Sequence, residues 1–199
     1  MRKLIVTTMM TLDGVMQAPG GPEEDPSDGF EFGGWTVPFV DDQGLEAKAA
    51  EVNVPFDLLL GRRTYEIFAG YWPTDTEGAI GKPFNDATKY VVSRSRPSLD
   101  WDPAVLIEDA TEGVAALKQE DGPELQVHGS GNLAQTLIHH GLVDEYHLWF
   151  FPVVLGQGRR LFAHGTVPAT LRLVDSKVSP TGVFMGTYEP AGEVVTGSF

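Results

Sequence analysis

Three groups of glycine, hydroxyl and arginine residues each follow an apolar, strand-like run. Gly61, Arg62, Arg63 and Thr64 form the first group, Ser93, Arg94 and Ser95 the second, and Gly129, Ser130, Gly131, Asn132 and Leu133 the third. A glycine turn that leads from a strand into a helix leaves backbone N–H groups free, and these favour an anion. Open α/β sheets bind ligands at the carboxyl ends of their strands. The groups therefore predict a site for a phosphate-bearing ligand, and one dinucleotide would reach all three.

The stretch 124–162 is the part of the chain around which the other elements are predicted to be arranged. An apolar run, 125–127, enters the glycine turn of the third group, a helical pattern follows from Asn132 to Gly141, and a second apolar run begins at Tyr146. This order predicts a right-handed crossover between parallel strands. The turn also fits the G-x-G-x-x-A pattern of a Rossmann fold. It lies late in the chain, however, and lacks a following acid that could hold a ribose, so a Rossmann enzyme is the poorer alternative.

Apolar periodicity and turn residues predict the remaining elements. Strands are expected at 3–10, 57–60, 89–93 and 105–108, helices at 45–52, from an N-cap at Thr64, and from an N-cap at Thr111, and a hairpin at 171–188. No linker or shift in composition divides the chain. We therefore expect a single domain over residues 1–190, followed by a frayed tail at 191–199.

The bulk composition excludes several classes of function. A formal net charge of −14 argues against nucleic acid as a partner. The absence of cysteine excludes disulfides and thiolate metal sites and suits a cytoplasmic protein. The apolar start of the chain is too short for a signal peptide or a membrane span, and no histidine lies at metal-ligand spacing, so neither a membrane partner nor a metal is expected.

Six of the eight arginines fall into three pairs. Arg62 with Arg63, Arg94 with Arg96, and Arg159 with Arg160 are close in sequence. Each pair alone is equally consistent with solvated surface charge. Because each follows a strand-like run, the pairs together favour a small anionic ligand.

A long loop, 19–44, is rich in glycine, proline and acidic residues and contains four aromatic residues, Phe30, Phe32, Trp35 and Phe39. Loops of this length inside a domain are commonly functional lids. The aromatic residues favour a lid over a planar ligand, with Trp35 on the substrate side. Alternatively, they dock on the core.

Four motifs together resemble the dihydrofolate reductase superfamily. They are LLLGRRTYE at 58–66, YVVSRS at 90–95, LQVHGSGNLAQ at 125–135 and PVVLGQGRRLF at 152–162. The chain is most similar to the bacterial branch related to the C-terminal reductase domain of the bifunctional riboflavin-biosynthesis deaminase/reductase. The resemblance covers the chain to about residue 190. It implies an α/β fold with a mostly parallel twisted central sheet, flanking helices and a C-terminal antiparallel hairpin.

The resemblance also implies NADPH as the cofactor. It places residues 61–64 at the cofactor phosphates, 93–95 at the adenosine 2′-phosphate and 129–133 near the diphosphate. It implies a reductase of a small heterocyclic or imine/carbonyl substrate, similar to 5-amino-6-(5-phosphoribosylamino)uracil reductase. A dihydrofolate or pterin reductase and a non-catalytic nucleotide-binding module stay open, because Val15 replaces the basic residue that riboflavin-pathway enzymes carry after their Asp-Gly.

Reduction of a C=N or C=O bond also requires a proton. Asp13 and Glu46 are the candidate donors, and Glu46 is the residue nearest to the carboxylate that dihydrofolate reductases place on their first helix. Asp13 is equally consistent with a turn-forming Asp-Gly, and bound water is a further source.

Dimerisation is common in the riboflavin-reductase branch, so the resemblance also implies a homodimer. The run 146–155 contains Trp149, Phe150 and Phe151 and is a candidate contact surface. The same residues are equally consistent with a core strand.

Overall fold

Strands and helices alternate along most of the chain. A computed structural model describes residues 1–198; Phe199, the last residue of the predicted tail, lies outside the described residues. The strands are β1 (Leu4–Thr11), β2 (Phe56–Gly61), β3 (Lys89–Val92), β4 (Ala104–Ile107), β5 (Glu124–His128), β6 (Glu145–Phe151), β7 (Leu171–Val178) and β8 (Phe184–Pro190). The α-helices are α1 (Asp42–Glu51), α2 (Arg62–Tyr71), α3 (Gly81–Asp86), α4 (Glu112–Gln119) and α5 (Gly131–His139).

One eight-stranded sheet joins all the strands in the order β4-β3-β2-β5-β1-β6-β8-β7. The first six strands of this order are parallel, and β8 and β7 add an antiparallel hairpin at the β6 edge. The predicted mostly parallel sheet with a C-terminal hairpin is therefore confirmed. Its order also differs from the 3-2-1-4-5-6 order of a Rossmann sheet.

The carboxyl ends of β2 and β5 carry two of the three predicted ligand-binding groups. These two strands are neighbours, since Leu58 pairs with Gln126, and β5 also pairs with β1, where Thr7 lies opposite His128. The remaining group, Ser93, Arg94 and Ser95, follows β3, the strand on the other side of β2. The topology thus brings all three groups to one edge of the sheet.

The first face of the sheet packs on α4 and α5. Successive side chains of a strand point to opposite faces, so alternate residues of each strand belong to this layer. Its core is apolar and comes from β1, β5 and β6 together with the inner sides of α4 and α5: Leu4, Val6, Met10, Leu125, Val127, Leu148, Val114, Leu117, Leu133 and Leu137.

The second face of the sheet is divided into two apolar clusters. One lies over β2 and β3 and includes Tyr65 of α2 and Phe84 of α3. The other lies over β6 and β8 and includes Trp149 and Phe151. Between the two clusters lies α1, which covers a region of polar side chains.

Two predicted helix starts differ from the structure. Thr64 was predicted as an N-cap, but α2 begins at Arg62 with Gly61 as its N-cap residue, so Thr64 lies in the first turn. Helix α1 begins at Asp42, three residues before the predicted start, because Asp41 caps it by accepting a hydrogen bond from Gly44 N–H at 2.8 Å. The sequence pattern assigned Asp41 and Asp42 to the loop, because the apolar periodicity of the helix begins only at Leu45.

The long loop between β1 and α1 is anchored by its aromatic residues. Trp35 is buried, its ring packs edge-on against Phe151, and its indole N–H donates to the carbonyl oxygen of Gln17 at 2.8 Å. Phe30 is buried in the same cluster, whereas Phe32 is exposed. Core docking therefore describes Trp35 and Phe30. With its polar atom bonded inside the loop, Trp35 offers little to a substrate, and a substrate contact stays a prediction that the structure does not favour.

Strand β6 lies between β1 and β8, so it is not an edge of the sheet. Trp149 and Phe151 are buried, which places the candidate contact surface in the core. The open edge at this end is β7, which has a register irregularity between Leu173 and Asp175 and carries Lys177. Bulges and lysines on edge strands discourage pairing with another chain. The homodimer stays a prediction.

Candidate functional site

Two helices, α2 and α5, begin side by side at the carboxyl ends of neighbouring strands. Within residues 1–198, neither helix start has a side-chain capping hydrogen bond, since the N-cap residue Gly61 has no side chain and that of Ser130 does not cap α5. A Cβ atom added to Gly129, where φ is +62°, would lie 3.5 Å from Thr64 Cγ2, so the two turns lie close together. The first-turn N–H groups of both helices therefore converge on one place, and such groups bind phosphate.

The Ser130 hydroxyl ties the two turns together. Its Oγ accepts a hydrogen bond from Gly61 N–H at 2.9 Å and donates to the carbonyl oxygen of His128 at 3.1 Å, and the side chain is buried. Gly61 and Ser130 had both been predicted as cofactor ligands. The hydroxyl and the Gly61 N–H are already bonded to each other, so this bond fixes the two turns relative to one another, and the cofactor contacts of Gly61 and Ser130 stay predictions.

The other residues of the two turns are placed differently. Leu133 packs in the core, so only its backbone is available to a ligand, whereas Asn132 is exposed at the first turn of α5. Gly131 leaves room for Met16, whose sulfur would lie 3.2 Å from an added Cβ. The segment that follows β1 thus reaches the start of α5 through Met16.

The predicted arginines differ in their ion pairs. Arg62 is paired with Glu66 one turn along α2, and Arg63 is paired with Asp25 of the long loop. Arg94 is exposed and makes no ion pair within residues 1–198. Beside it, the buried Ser93 hydroxyl lies 3.0 Å from that of Ser95. The guanidinium of Arg94 is therefore free to meet an anionic group at the end of β3.

Asp13 was predicted as a proton donor, but the structure gives it a structural role. Its carboxylate accepts hydrogen bonds from Thr11 Oγ1 at 2.6 Å and from the N–H groups of Leu155 and Gly156, and it pairs with Arg160. The Thr11 hydroxyl and the backbone N–H groups lower the pKa of Asp13 to about 2, although partial burial acts in the opposite direction. A carboxyl that is ionised at neutral pH is a poor proton donor. Asp13 instead fastens the segment 152–162 to the end of β1.

Glu46 was also predicted as a donor, and it lies on the solvent side of α1. The residues of this helix that point at the sheet are Lys48 and Glu51. The prediction chose the wrong face, because the helix begins at Asp42 and its inward side includes positions 48, 51 and 52. Glu51 is thus the carboxylate of α1 that can take part in chemistry.

Beneath α1, three neighbouring strands present a polar row formed by Thr7, His128 and His147. Thr7 lies opposite His128 of β5 on one side and opposite His147 of β6 on the other. Lys48 Nζ lies 2.8 Å from Glu51 Oε2 and donates to Thr7 Oγ1 at 3.3 Å. The polar row and this ion pair form one connected group that keeps only small exposed fractions, 11% for the Lys48 side chain and 16% for Glu51.

Further hydrogen bonds hold both ends of this group. Trp149 Nε1 donates to Glu51 Oε1 at 2.7 Å, and His147 Nε2 lies 2.7 Å from Glu145 Oε1. Within residues 1–198, every buried side-chain nitrogen or oxygen has a hydrogen-bond partner. The polar region is therefore held in a single arrangement, as buried polar networks require.

The charges in this region follow from burial and from Lys48. Burial acts to raise the pKa of Glu51, but the charge and hydrogen bond of Lys48 outweigh it and lower that pKa below its usual value. Burial, with help from Lys48 and His147, lowers the pKa of His128 well below 6.5. At neutral pH the region therefore contains an ionised Glu51 and a neutral His128.

The tautomer of His128 follows from its neighbour. Gln126 Nε2 donates to Glu124 and to the carbonyl oxygen of Glu51, so its Oε1 faces His128 Nε2 at 3.0 Å as an acceptor. His128 therefore carries its proton on Nε2 and presents Nδ1 as an acceptor. His128 directly precedes the glycine turn at the start of α5.

The sequence contained a signal for the polar row that was not used. Strand β6 reads Glu-Tyr-His-Leu-Trp from 145 to 149, and its polar residues recur at every second position. An alternating pattern in an otherwise apolar strand places polar groups on one face. Lys48 and Glu51, three positions apart on a short helix, fit the same face. Among the described residues, no group of three or more His, Asp or Glu side chains is arranged to hold a metal ion.

None of the helices within residues 1–198 has the length and apolar character needed to cross a bilayer.

Comparisons with known proteins address the family and the fold of the chain. A family model described as the RibD C-terminal domain matches residues 2–185. YyaP, an uncharacterised protein of Bacillus subtilis, is 28% identical over 191 residues, which cover 94% of each chain.

Solved structures share the fold at low identity. The deaminase/reductase of Thermotoga maritima, a diaminohydroxyphosphoribosylaminopyrimidine deaminase and 5-amino-6-(5-phosphoribosylamino)uracil reductase, superposes with a TM-score of 0.64 at 13% identity, covering 96% of this chain and 57% of that one. Dihydrofolate reductase of Enterococcus faecalis, solved in complex with NADP(H), gives a TM-score of 0.61 at 15% identity, with coverage of 94% and 96%. These matches confirm the dihydrofolate reductase-like fold and the resemblance drawn from the motifs.

Proposed function

Since the chain belongs to the RibD C-terminal domain family, we propose that it is an NADPH-dependent reductase of a small heterocyclic or imine/carbonyl substrate. The observation that carries this proposal is the juxtaposition of two uncapped helix starts, joined by the bond between Ser130 and Gly61, with a buried polar row that begins at the adjacent His128. The helix starts would hold the cofactor phosphates, and the polar row would hold the substrate. Hydride transfer needs the two ligands side by side in a dry pocket and little more from the protein.

The proposed cofactor site rests on the starts of α2 and α5 and on Arg94. The first turns of α2 and α5 offer N–H donors to a diphosphate. Arg94, exposed at the end of β3 and without an ion pair to any of residues 1–198, would take the adenosine 2′-phosphate and so favour NADPH over NADH. The NADP(H) complex of the structurally similar Enterococcus enzyme supports this choice of cofactor.

The substrate side rests on the chemistry of the polar row. An ionised Glu51 accepts hydrogen bonds, Lys48 donates them, and the neutral His128 offers an acceptor at Nδ1. Such a mixed edge suits a heterocycle that carries N–H and C=O groups together, such as a pyrimidine. Asp13 and Glu51 are both held ionised, so Lys48 is our candidate for the group that supplies the proton.

A titration of the purified protein with NADPH and NADH by calorimetry tests the cofactor assignment. Arg94→Ala should weaken NADPH binding by about tenfold or more, because a charge-assisted contact is lost, and should leave NADH binding unchanged. Arg96→Ala is the matched control, because Arg96 is also exposed but is paired with Glu108. Equal loss of NADPH affinity in both variants would remove Arg94 from the site, and no binding of either cofactor would overturn the proposed function.

Two alternatives are separated by a substrate panel. A dihydrofolate reductase is less well supported, because the inward carboxylate of α1 is already paired with Lys48. A non-catalytic nucleotide-binding module is favoured by one observation: the position after Asp-Gly is the fully buried Val15, so no basic group stands there. NADPH binding without oxidation across pyrimidine, pterin and carbonyl substrates would select the non-catalytic module.

A further inference from the structure

The carboxylate of Asp25 lies between two arginines that come from distant parts of the chain. Arg63 Nη2, in the first turn of α2, donates to Asp25 Oδ1 at 2.6 Å, and Arg159 Nη2 pairs with Asp25 Oδ2. The Ser27 hydroxyl donates to the same carboxylate at 2.6 Å. Asp25 is buried, although it belongs to the long loop between β1 and α1. This one side chain therefore joins the loop, the start of α2 and the segment after β6.

The loop around Asp25 is held by a second side chain, Gln17. Its amide nitrogen donates to the carbonyl oxygens of Asp25 and Ser27, and its oxygen accepts from Arg159 N–H at 3.1 Å. Beside this contact opens a cavity of about 270 Å³. Its lining residues are Gln17, Ser27, Asp28, Phe30, Gln157, Gly158 and Arg159. Three residues that contact Asp25, namely Gln17, Ser27 and Arg159, thus border this cavity.

The surroundings of Asp25 are those of an anion site. Two guanidinium groups and a hydroxyl converge on its two oxygens, and guanidinium groups bind carboxylate and phosphate in the same geometry. Arg63 also belongs to the helix start that the proposed function assigns to phosphate. Its side chain is 54% exposed while that of Asp25 is 8% exposed, so a ligand can approach the arginine from solvent.

We propose that Asp25 is a built-in competitor that occupies the place of a ligand phosphate at Arg63 and Arg159. A phosphate-bearing ligand displaces the Asp25 carboxylate from both guanidinium groups and releases the loop segment 19–34 from α2. The closed loop and the bound phosphate are then mutually exclusive states, and the energy of the Asp25 contacts sets how tightly the ligand must bind. This inference rests on the proposed function, since it assigns the same helix start to phosphate.

Asp25→Asn tests the competition directly, with inorganic pyrophosphate as the probe in a calorimetric titration. The variant should bind pyrophosphate about tenfold more tightly than the wild type, because the binding-competent fraction of the protein rises. Asp28→Asn is the matched control: it removes the same charge from the same loop, but Asp28 is 84% exposed, and its one ion pair within the described residues is with Arg159, at 3.3 Å. The control should change the affinity by less than about twofold, because an exposed charge is screened.

Weaker pyrophosphate binding by Asp25→Asn would overturn the proposal, because Asp25 would then position the arginines for the ligand. Equal gains in the two variants, or no pyrophosphate binding in any of the proteins, would overturn it as well. The same titrations with NADPH keep the proposed function separate. If pyrophosphate shows the competition but NADPH binds to no variant, the inference survives and the proposed function fails.

Hydrogen exchange on the wild type gives a second test that does not depend on the variant folding. Addition of pyrophosphate should speed amide exchange in peptides that cover residues 19–34, while peptides from β1 stay unchanged. Slower exchange in residues 19–34 on addition of pyrophosphate would show that the anion binds with the loop closed, which contradicts the competition.

Discussion

The two faces of the sheet are made by the same strands and differ in their chemistry. On the first face, β1, β5 and β6 meet α4 and α5 mainly through apolar side chains, among them the fully buried Leu4 and Leu137. On the second face, the same three strands present Thr7, His128 and His147 beneath α1. Each buried leucine stabilises the fold by about 1.5–3 kcal/mol, whereas a buried polar group must find a partner to avoid a cost of similar size.

The two faces divide the work: the first contributes mainly stability, and the second carries the polar groups of the proposed chemistry. The first face can be packed tightly because nothing has to enter it. The second face keeps its polar groups satisfied among themselves, through Lys48, Glu51 and Gln126, so the site is arranged before a ligand arrives. Preorganised polar groups of this kind are what a reductase needs to hold a substrate against its cofactor.

The largest expected effect is a loss of unfolding free energy when the apolar first face is altered. Leu137→Ala on the first face should lower the free energy of unfolding by about 2–5 kcal/mol, because it leaves a cavity in an apolar core. Turnover of the folded protein should change little. Urea unfolding of the variant measures the loss, and Val195→Ala, at a 91% exposed position, is the control. A large loss of turnover in the fully folded variant would contradict this division between the two faces.

The reverse pattern is expected on the second face. Glu51→Gln should lower turnover by about a hundredfold, because Lys48 loses the partner that orients it toward the substrate. The unfolding free energy should fall by only about 1–3 kcal/mol. Steady-state NADPH oxidation measures the first effect and urea unfolding the second. Glu46→Gln, on the solvent side of the same helix, should change neither quantity, and equal activity of the two variants would remove Glu51 from the site.

The pH dependence of stability distinguishes the faces through His128. Its pKa in the folded protein is below 6.5, so below pH 6.5 the unfolded chain binds more protons than the folded one. The wild type should therefore lose stability by up to about 1.4 kcal/mol for each pH unit between pH 6.5 and the folded-state pKa of His128. His128→Gln should flatten this slope, measured by urea unfolding from pH 7 to pH 5. His139→Gln, at an exposed position, should keep it.

The smallest expected effect is the change in stability caused by Asp13, which lies in the loop after β1. The folded-state pKa of Asp13 is about 2, against an ordinary value of 3.8, so its contribution is fully present above pH 3.8 and is lost as the pH falls through 2. Asp13→Asn should lower stability at pH 7 by about 1–2 kcal/mol, because charge-assisted hydrogen bonds are weakened. The difference from wild type should shrink between pH 4 and pH 2. A constant difference over that range would contradict the assigned bonds.

Sequence patterns predicted the strands and turns well and the side-chain roles less well. Strand β1, the glycine turn before α5 and the C-terminal hairpin were predicted close to their observed bounds, because periodicity and glycine conformation are local properties. Glu46 was chosen in place of Glu51 because a shift of a few residues at a helix start changes which side faces the sheet. Trp35 was placed at the substrate because composition alone does not distinguish a lid from a docked loop.

The sequence by itself therefore determined the order of the elements, the family, and the three groups that follow β2, β3 and β5. Only the tertiary structure decided which of their polar atoms are free. Ser130 bonds Gly61 across 69 residues, and Asp25 bonds Arg63 across 38 and Arg159 on a third segment. The physical reason is that a local pattern specifies backbone conformation, whereas the partner of a charge or a hydroxyl depends on how distant strands are brought together in one sheet.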